Sequence, residues 1–132
     1  MLLIFKKTFW SLKDKIGRFN YLNGILRHIP GVLGFELRNR IIPKYFQSCG
    51  PQINIHEGVR FRGVHKLNVG TNVEIGVDNF LQASGGITIG NDVMLGPGVK
   101  IWSVNHNFKD FNTPINQQGY EYKEVGIDDG VW

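Results

Sequence analysis

The chain has 132 residues, of which 42% are hydrophobic and 20% are charged, so it is long enough for one modest globular domain and is not typical of a disordered protein. Cys49 is the single cysteine, which excludes an internal disulfide, and no apolar run approaches the ~18 residues of a membrane span, so the composition predicts a cytoplasmic protein. The net charge of +4 is uneven, because the basic residues are concentrated before residue 49 and the rest of the chain is mildly acidic.

Residues 1–48 form a basic leader in which we predict three short helices. Apolar residues recur at steps of three and four, which places them on one face of the first helix: Leu2, Phe5, Phe9, Leu12, Ile16 and Phe19. The second helix should end at Pro30, and the third is expected from Leu33 to Ile42.

Two roles for this leader remain open. Its helices could cap one end of the body that follows. Its basic amphipathic surface could instead contact an anionic membrane from the inner face. The positive charge comes without any recognition motif, so the sequence does not predict nucleic-acid binding.

Residues 49–102 carry a sequence period of six. Apolar residues recur as the first residue of each repeat: Ile55, Phe61, Val69, Ile75, Leu81, Ile89, Leu95 and Ile101. Glycine follows several of them directly, and we expect it there because a tight corner requires unusual backbone angles: Gly70, Gly76, Gly90 and Gly96. Two-residue slips after Phe61 and Leu81 complete a coil of about twenty residues with three faces, the pattern of a parallel β-helix whose repeat starts point inward.

These repeats resemble those of the hexapeptide-repeat acyltransferases, and the resemblance covers about Cys49 to Trp132. It implies a mainly β fold, a left-handed parallel β-helix preceded by short N-terminal α-helices. The left hand is taken from the resemblance alone, because general connection rules favour the opposite hand. The leader is also similar to the N-terminal helices of capsular and exopolysaccharide O-acetyltransferases.

After Ile101 the repeat is interrupted over residues 103–124 and resumes at Val125. A segment of this length without a helical or strand pattern is typical of a functional loop. Its short motifs resemble, in order, the active-site loop of galactoside, maltose and capsular sugar O-acetyltransferases: Asn105-His106-Asn107-Phe108, Pro114-Ile115, Gln117-Gln118-Gly119-Tyr120 and then Val131-Trp132.

The resemblance implies that His106 is the catalytic base, because imidazole accepts and releases a proton near neutral pH. In that family the histidine deprotonates the sugar hydroxyl, which attacks acetyl-CoA directly without an acyl-enzyme. Polar residues one coil earlier and the neighbours of the histidine are the substrate-binding candidates: Asp78, Asn79, Gln82, Asn105 and Trp102. Simple corner polarity is the open alternative for Asp78 and Asn79, and the loop aromatics could either stack on sugars or pack the loop.

The resemblance also implies partners and a donor. The acyl donor is acetyl-CoA, the acceptor is a saccharide of capsule or exopolysaccharide biosynthesis, the assembly is a homotrimer, and no metal is required. Trp132 is the one candidate for donor binding, since the family has further coils after this point and we expect the chain to be C-terminally truncated. The alternatives are a non-catalytic remnant or trimeric scaffold of the same family, and a zinc hydratase, which the scattered histidines do not favour.

Overall fold

The computed structural model describes residues 1–132, apart from the side chain of Leu2. Within these residues the helices are α1 (Leu2–Lys13), α2 (Lys15–Leu26) and α3 (Gly31–Ile41), followed by a 3-10 turn at Ile42–Tyr45. The strands are β1 (Ser48–Cys49), β2 (Ile53–Ile55), β3 (Arg60–Arg62), β4 (Leu67–Val69), β5 (Val73–Ile75), β6 (Phe80–Gln82), β7 (Ile87–Ile89), β8 (Met94–Leu95), β9 (Lys100–Trp102), β10 (Val104–His106), β11 (Tyr120–Tyr122) and β12 (Val125–Ile127). None of the helices in this description is long and apolar enough to cross a bilayer.

The strands after the leader form three parallel stacks. The stacks are β1-β4-β7-β12, β2-β5-β8 and β3-β6-β9. In the second and third stacks, neighbouring strands come from successive coils of the chain. The predicted repeat starts are all buried, which confirms that the six-residue period marks inward-pointing side chains. The strand register is compatible with the predicted parallel β-helix, and the left-handedness of that β-helix stays a prediction.

The glycines that follow the repeat starts serve a purpose other than the predicted one. Gly70 and Gly76 do not have positive φ values, but a Cβ atom at either position would lie 2.5 Å from a carbonyl oxygen of the next coil. Positive φ occurs instead at corner residues such as Asn72 and Asp92. Gly70 and Gly76 are therefore required because adjacent coils approach closely there, and the expectation of unusual backbone angles at the glycines after the repeat starts was wrong.

The first predicted helix is divided in two at Asp14. Its carboxylate accepts hydrogen bonds from the backbone N–H groups of Ile16 and Gly17, both at 3.1 Å, and so begins α2. The continuous apolar face from Leu2 to Phe19 was therefore wrong, and the side chain of Leu2 lies outside the described residues. Phe19 is buried, whereas Phe9 on α1 is 61% exposed.

Helices α2 and α3 cover the first coil of the body. The buried guanidinium of Arg38 donates to the carbonyl oxygens of Ile55 at 3.0 Å, Leu26 at 3.1 Å and Ile29 at 2.9 Å. Burial lowers the pKa of Arg38, and the charge of Glu57 opposes that shift. One side chain thus joins both helices to the open edge of the stacks, which is the arrangement that a cap requires.

Candidate functional site

Residues 103–124 form a two-stranded hairpin on the body. Strands β10 and β11 pair antiparallel, with His106 opposite Tyr120 and Val104 opposite Tyr122. The expectation of a loop without strand structure was therefore wrong at the two ends of the segment, whereas residues 107–119 between the strands carry no strand. Side chains alternate across a strand, so His106 and Tyr120 share one face of the hairpin and Asn105 lies on the other.

The tip of the hairpin is ordered by polar contacts. The side-chain amide of Gln118 donates to the carbonyl oxygens of Asp110 and Thr113, both at 2.7 Å. The Asp110 carboxylate accepts from the Thr113 hydroxyl at 2.6 Å and from the backbone N–H of Asn112 at 2.9 Å. These hydrogen bonds, the Thr113 contact first, lower the pKa of Asp110, so the acceptor is a carboxylate at neutral pH.

His106 opens into a cavity of about 300 Å³ at the foot of the hairpin. Its imidazole lies against the ring of Tyr120, with 4.5 Å between centroids. Over the described side chains, no hydrogen bond is made by either ring nitrogen, so both are free to meet a ligand. An exposed, oriented imidazole beside a cavity can exchange a proton with a bound hydroxyl group.

Four of the candidate residues line this one cavity: Gln82, Trp102, Asn105 and His106. The half-exposed ring of Trp102 packs edge-on against Phe80, with centroids 4.8 Å apart. Gln82 is largely buried, its side-chain oxygen accepts from the Ser84 hydroxyl at 2.7 Å, and among the described side chains its amide N–H groups donate no hydrogen bond. The arrangement provides an aromatic plate and hydrogen-bonding groups around a base.

The other candidates lie elsewhere. Asn79 is fully buried, its side-chain oxygen accepts from the backbone N–H of Val99 at 2.6 Å, and its amide donates to the Leu95 carbonyl at 3.5 Å. A side chain without exposure does not touch a substrate, so the expectation for Asn79 was wrong and its role is to join two coils. Asp78 occupies a different corner with φ 58°, and the exposed Trp132 lines a separate cavity of about 270 Å³.

Sequence reasoning missed Arg62, which also lines the His106 cavity. The residue lies in register with Gln82, which in turn lies in register with Trp102 on the next coil. The twenty-residue coil period could therefore have identified Arg62, because it aligns this residue with the candidates Gln82 and Trp102.

The remaining reactive groups do not form a second centre of this kind. Cys49 is half-buried, and burial raises the pKa of its thiol, which disfavours the thiolate. The imidazole of His56 lies 3.2 Å from the Glu74 carboxylate. In the portion of the chain with described side chains, no three His, Cys, Asp or Glu residues are grouped so that they could hold a metal ion.

Comparisons with known proteins place the chain in no family. No family model matches it, and the search of curated proteins found no match. Among solved structures, a crystal structure of a mutant of AntD, an N-acyltransferase from Bacillus cereus, in complex with dTDP and coenzyme A, is similar with a TM-score of 0.49 and 11% identity. The match covers 73% of this chain and 63% of that chain, and similarity at this level assigns neither a family nor a function.

Proposed function

We propose that the chain is an acetyl-CoA-dependent O-acetyltransferase with a left-handed β-helix, acting on a saccharide hydroxyl in capsule or exopolysaccharide biosynthesis. The observation that carries the proposal is the shared cavity of His106, Trp102 and Gln82 at the foot of the hairpin. These residues come from three separate segments, and together they provide what an acetyl transfer to a sugar needs. The motifs of residues 105–120 support the same activity.

The chemistry follows from the positions of these groups. A ring nitrogen of His106 accepts the proton of the sugar hydroxyl while that oxygen attacks the thioester carbonyl of acetyl-CoA. The new C–O bond forms, the C–S bond breaks, and the imidazolium returns its proton to the departing thiolate. Trp102 offers a face for the sugar ring, and Gln82 and Asn105 offer hydrogen bonds to its other hydroxyls.

We propose a separate surface of the body for the donor. Trp132 lines its cavity together with Met94, Leu95 and Pro97. We propose that this apolar surface contacts the pantetheine arm of acetyl-CoA. No metal is needed in this mechanism, because the base and the leaving thiolate complete the proton transfer.

The test is the substitution His106→Ala in the 132-residue chain, assayed by thiol release from acetyl-CoA and by mass spectrometry of a panel of oligosaccharides. We expect acetylated product from the parent chain and a rate at least ~100-fold lower from the variant. His65→Ala is the matched control, because that histidine is exposed on the body and lies outside the cavity. Failure of the parent chain to acetylate any member of the panel, or an unchanged rate in the His106 variant, contradicts the proposal.

A homotrimer is proposed for the assembly. The tip of the hairpin presents apolar side chains to solvent, among them Phe108 and Phe111, and Phe111 is 99% exposed. Exposure of this kind is typical of a surface that another subunit covers. We expect sedimentation at the trimer mass and dissociation in Phe111→Ser. A trimer that shows no acetyl transfer favours the alternative function, a non-catalytic scaffold.

A further inference from the structure

A cationic groove of about 580 Å³ runs between α2 and the outer face of β3. Arg27, Arg60 and Arg62 line it, and no Asp or Glu does. Across the described side chains, none of these three guanidinium groups has a carboxylate within 4.0 Å. The Arg62 guanidinium lies 5.8 Å from the centroid of the Phe80 ring, which holds it along the groove.

Three guanidinium groups around one groove repel one another unless an anion lies between them. Their forked donors match phosphate oxygens, and a diphosphate balances three positive charges better than a single carboxylate does. Arg62 also lines the His106 cavity, so the groove and that cavity adjoin through one side chain.

We propose that this groove binds the phosphate or diphosphate group of a ligand whose remaining part enters the His106 cavity. The identity of that part as a saccharide rests on the proposed function, whereas the binding of phosphate does not. The ligand class is therefore a phosphorylated sugar or a saccharide diphosphate.

The experiment is calorimetric titration of the 132-residue chain with inorganic pyrophosphate at low salt. We expect saturable binding that weakens by about tenfold or more in Arg60→Ala and in Arg62→Ala. Arg40→Ala removes the same charge from a residue that pairs with Glu36 at 3.6 Å, and it should leave binding unchanged.

Three results would overturn the proposal of a phosphate site: no saturable pyrophosphate binding, equal weakening of that binding in the Arg40 variant, or tighter binding of glucuronate than of pyrophosphate. Circular dichroism melting of each variant verifies that the fold persists. His106→Ala should retain pyrophosphate binding, so a failure of acetyl transfer and a failure of this site give different results.

A second, independent inference concerns helix α1, because its polar side chains face the protein and its apolar side chains face solvent. Among the described side chains of this helix, Thr8 and Ser11 are the half-buried ones, and a Cβ atom on Gly17 of α2 would clash with Ser11. Five apolar side chains point to solvent instead, each between 61% and 69% exposed, and Leu12 is 42% exposed; the five are Leu3, Ile4, Phe5, Phe9 and Trp10. A surface helix normally buries its apolar stripe, so this face lacks its partner.

The charge of the helix selects the partner. Residues 1–13 contain Lys6, Lys7 and Lys13 and no acidic residue. The Lys13 ammonium lies 4.8 Å from the ring centroids of both Phe9 and Trp10, so charge and apolar surface are interleaved. A second copy of α1 would bring lysine against lysine without a carboxylate, whereas an anionic lipid layer supplies both negative charge and an apolar interior.

We infer that α1 lies in the interface of an anionic lipid bilayer, with its aromatic residues inserted and its lysines at the headgroups. The test is co-sedimentation of the full chain with phosphatidylcholine vesicles that contain or lack phosphatidylglycerol. We expect binding about tenfold or more stronger with the anionic lipid and a large loss of binding in a Phe9→Ser, Trp10→Ser variant.

Val32→Ser is the matched control, since this apolar residue of α3 is also exposed but lies outside α1. Equal binding to neutral vesicles, or retained binding in the Phe9 and Trp10 variant, overturns the inference. A fall in oligomer mass in that variant, without vesicle binding by the parent, identifies a second copy as the partner and also overturns it.

Discussion

The coil body and the hairpin on it use the same residue type in opposite ways, as Asn79 and Asn105 illustrate. Asn79 is buried, and both polar atoms of its side chain hydrogen-bond to the neighbouring coil. Asn105 is exposed, and within the described part of the chain its side-chain oxygen accepts from the backbone N–H of His106 alone, at 2.9 Å. Asn79 thus holds two coils together, whereas the two strands of the hairpin are held by backbone pairing, which leaves the Asn105 side chain exposed to a ligand.

The largest expected effect belongs to the interior of the body. Leu81→Ala removes a fully buried repeat-start side chain, and we expect a loss of about 2–5 kcal/mol in the free energy of unfolding because the cavity cannot collapse between stacked strands. Ile115→Ala, at the exposed tip of the hairpin, should change it by less than about 0.5 kcal/mol. Urea unfolding of both variants checks this; equal losses would show that the hairpin belongs to the same packed unit.

The spacing of the coils gives the next prediction. Gly76→Ala places a Cβ atom 2.5 Å from the carbonyl oxygen of Leu95, and we expect a cost of about 1–3 kcal/mol because backbone must shift. Gly96 occupies the same position one coil further on, but a Cβ atom there meets nothing within 4 Å. Gly96→Ala should therefore be nearly neutral in thermal unfolding, and a comparable cost in both variants would contradict the close-approach explanation.

The two asparagines are compared directly by a third pair of variants. Asn79→Ala leaves the partly buried backbone N–H of Val99 without its acceptor, and we expect about 1–3 kcal/mol of destabilisation. Asn105→Ala should leave the free energy of unfolding unchanged while it raises KM for the saccharide. Denaturant unfolding and acetyl-transfer kinetics on both variants separate the structural role from the saccharide-binding role. Reduced saccharide binding without destabilisation in the Asn79 variant would contradict the structural role that we assign to Asn79.

The smallest effect concerns pH at the tip of the hairpin. The pKa of Asp110 lies below its ordinary value of 3.8, so its hydrogen bonds favour the ordered tip above that value and this preference is lost as pH falls through the lowered pKa. Thr113→Val removes the hydroxyl donor and should return the pKa toward 3.8. An NMR titration of the Asp110 carboxyl group measures the shift, and identical curves for parent and variant would exclude the Thr113 contact as its cause.

Much of the body could be predicted because burial repeats with the coil. The same register could also have found the burial of Asn79: it lies one coil after Val59 and one coil before Val99, in a column whose first member is fully buried. The hairpin could not be predicted this way, because antiparallel pairing between β10 and β11 follows no repeat. The break at Asp14 was missed because apolar spacing outweighed a capping residue whose local signal was present.

The insertion of the hairpin into one coil has a consequence for how such a chain can change. The backbone N–H of Thr71 bonds to the Asn91 side chain 20 positions on, and that of Asn91 bonds to Asp129 38 positions on. The two hydrogen bonds occupy equivalent positions on successive coils, and their spacings of 38 and 20 positions differ by 18. These 18 positions are therefore an insertion within one coil, after which Val125 pairs in register with Ile87. The scaffold therefore accepts a long insertion at this turn, and chimeras that exchange residues 104–122 can change one wall of the His106 cavity while Arg62, Gln82 and Trp102 of the body keep the others.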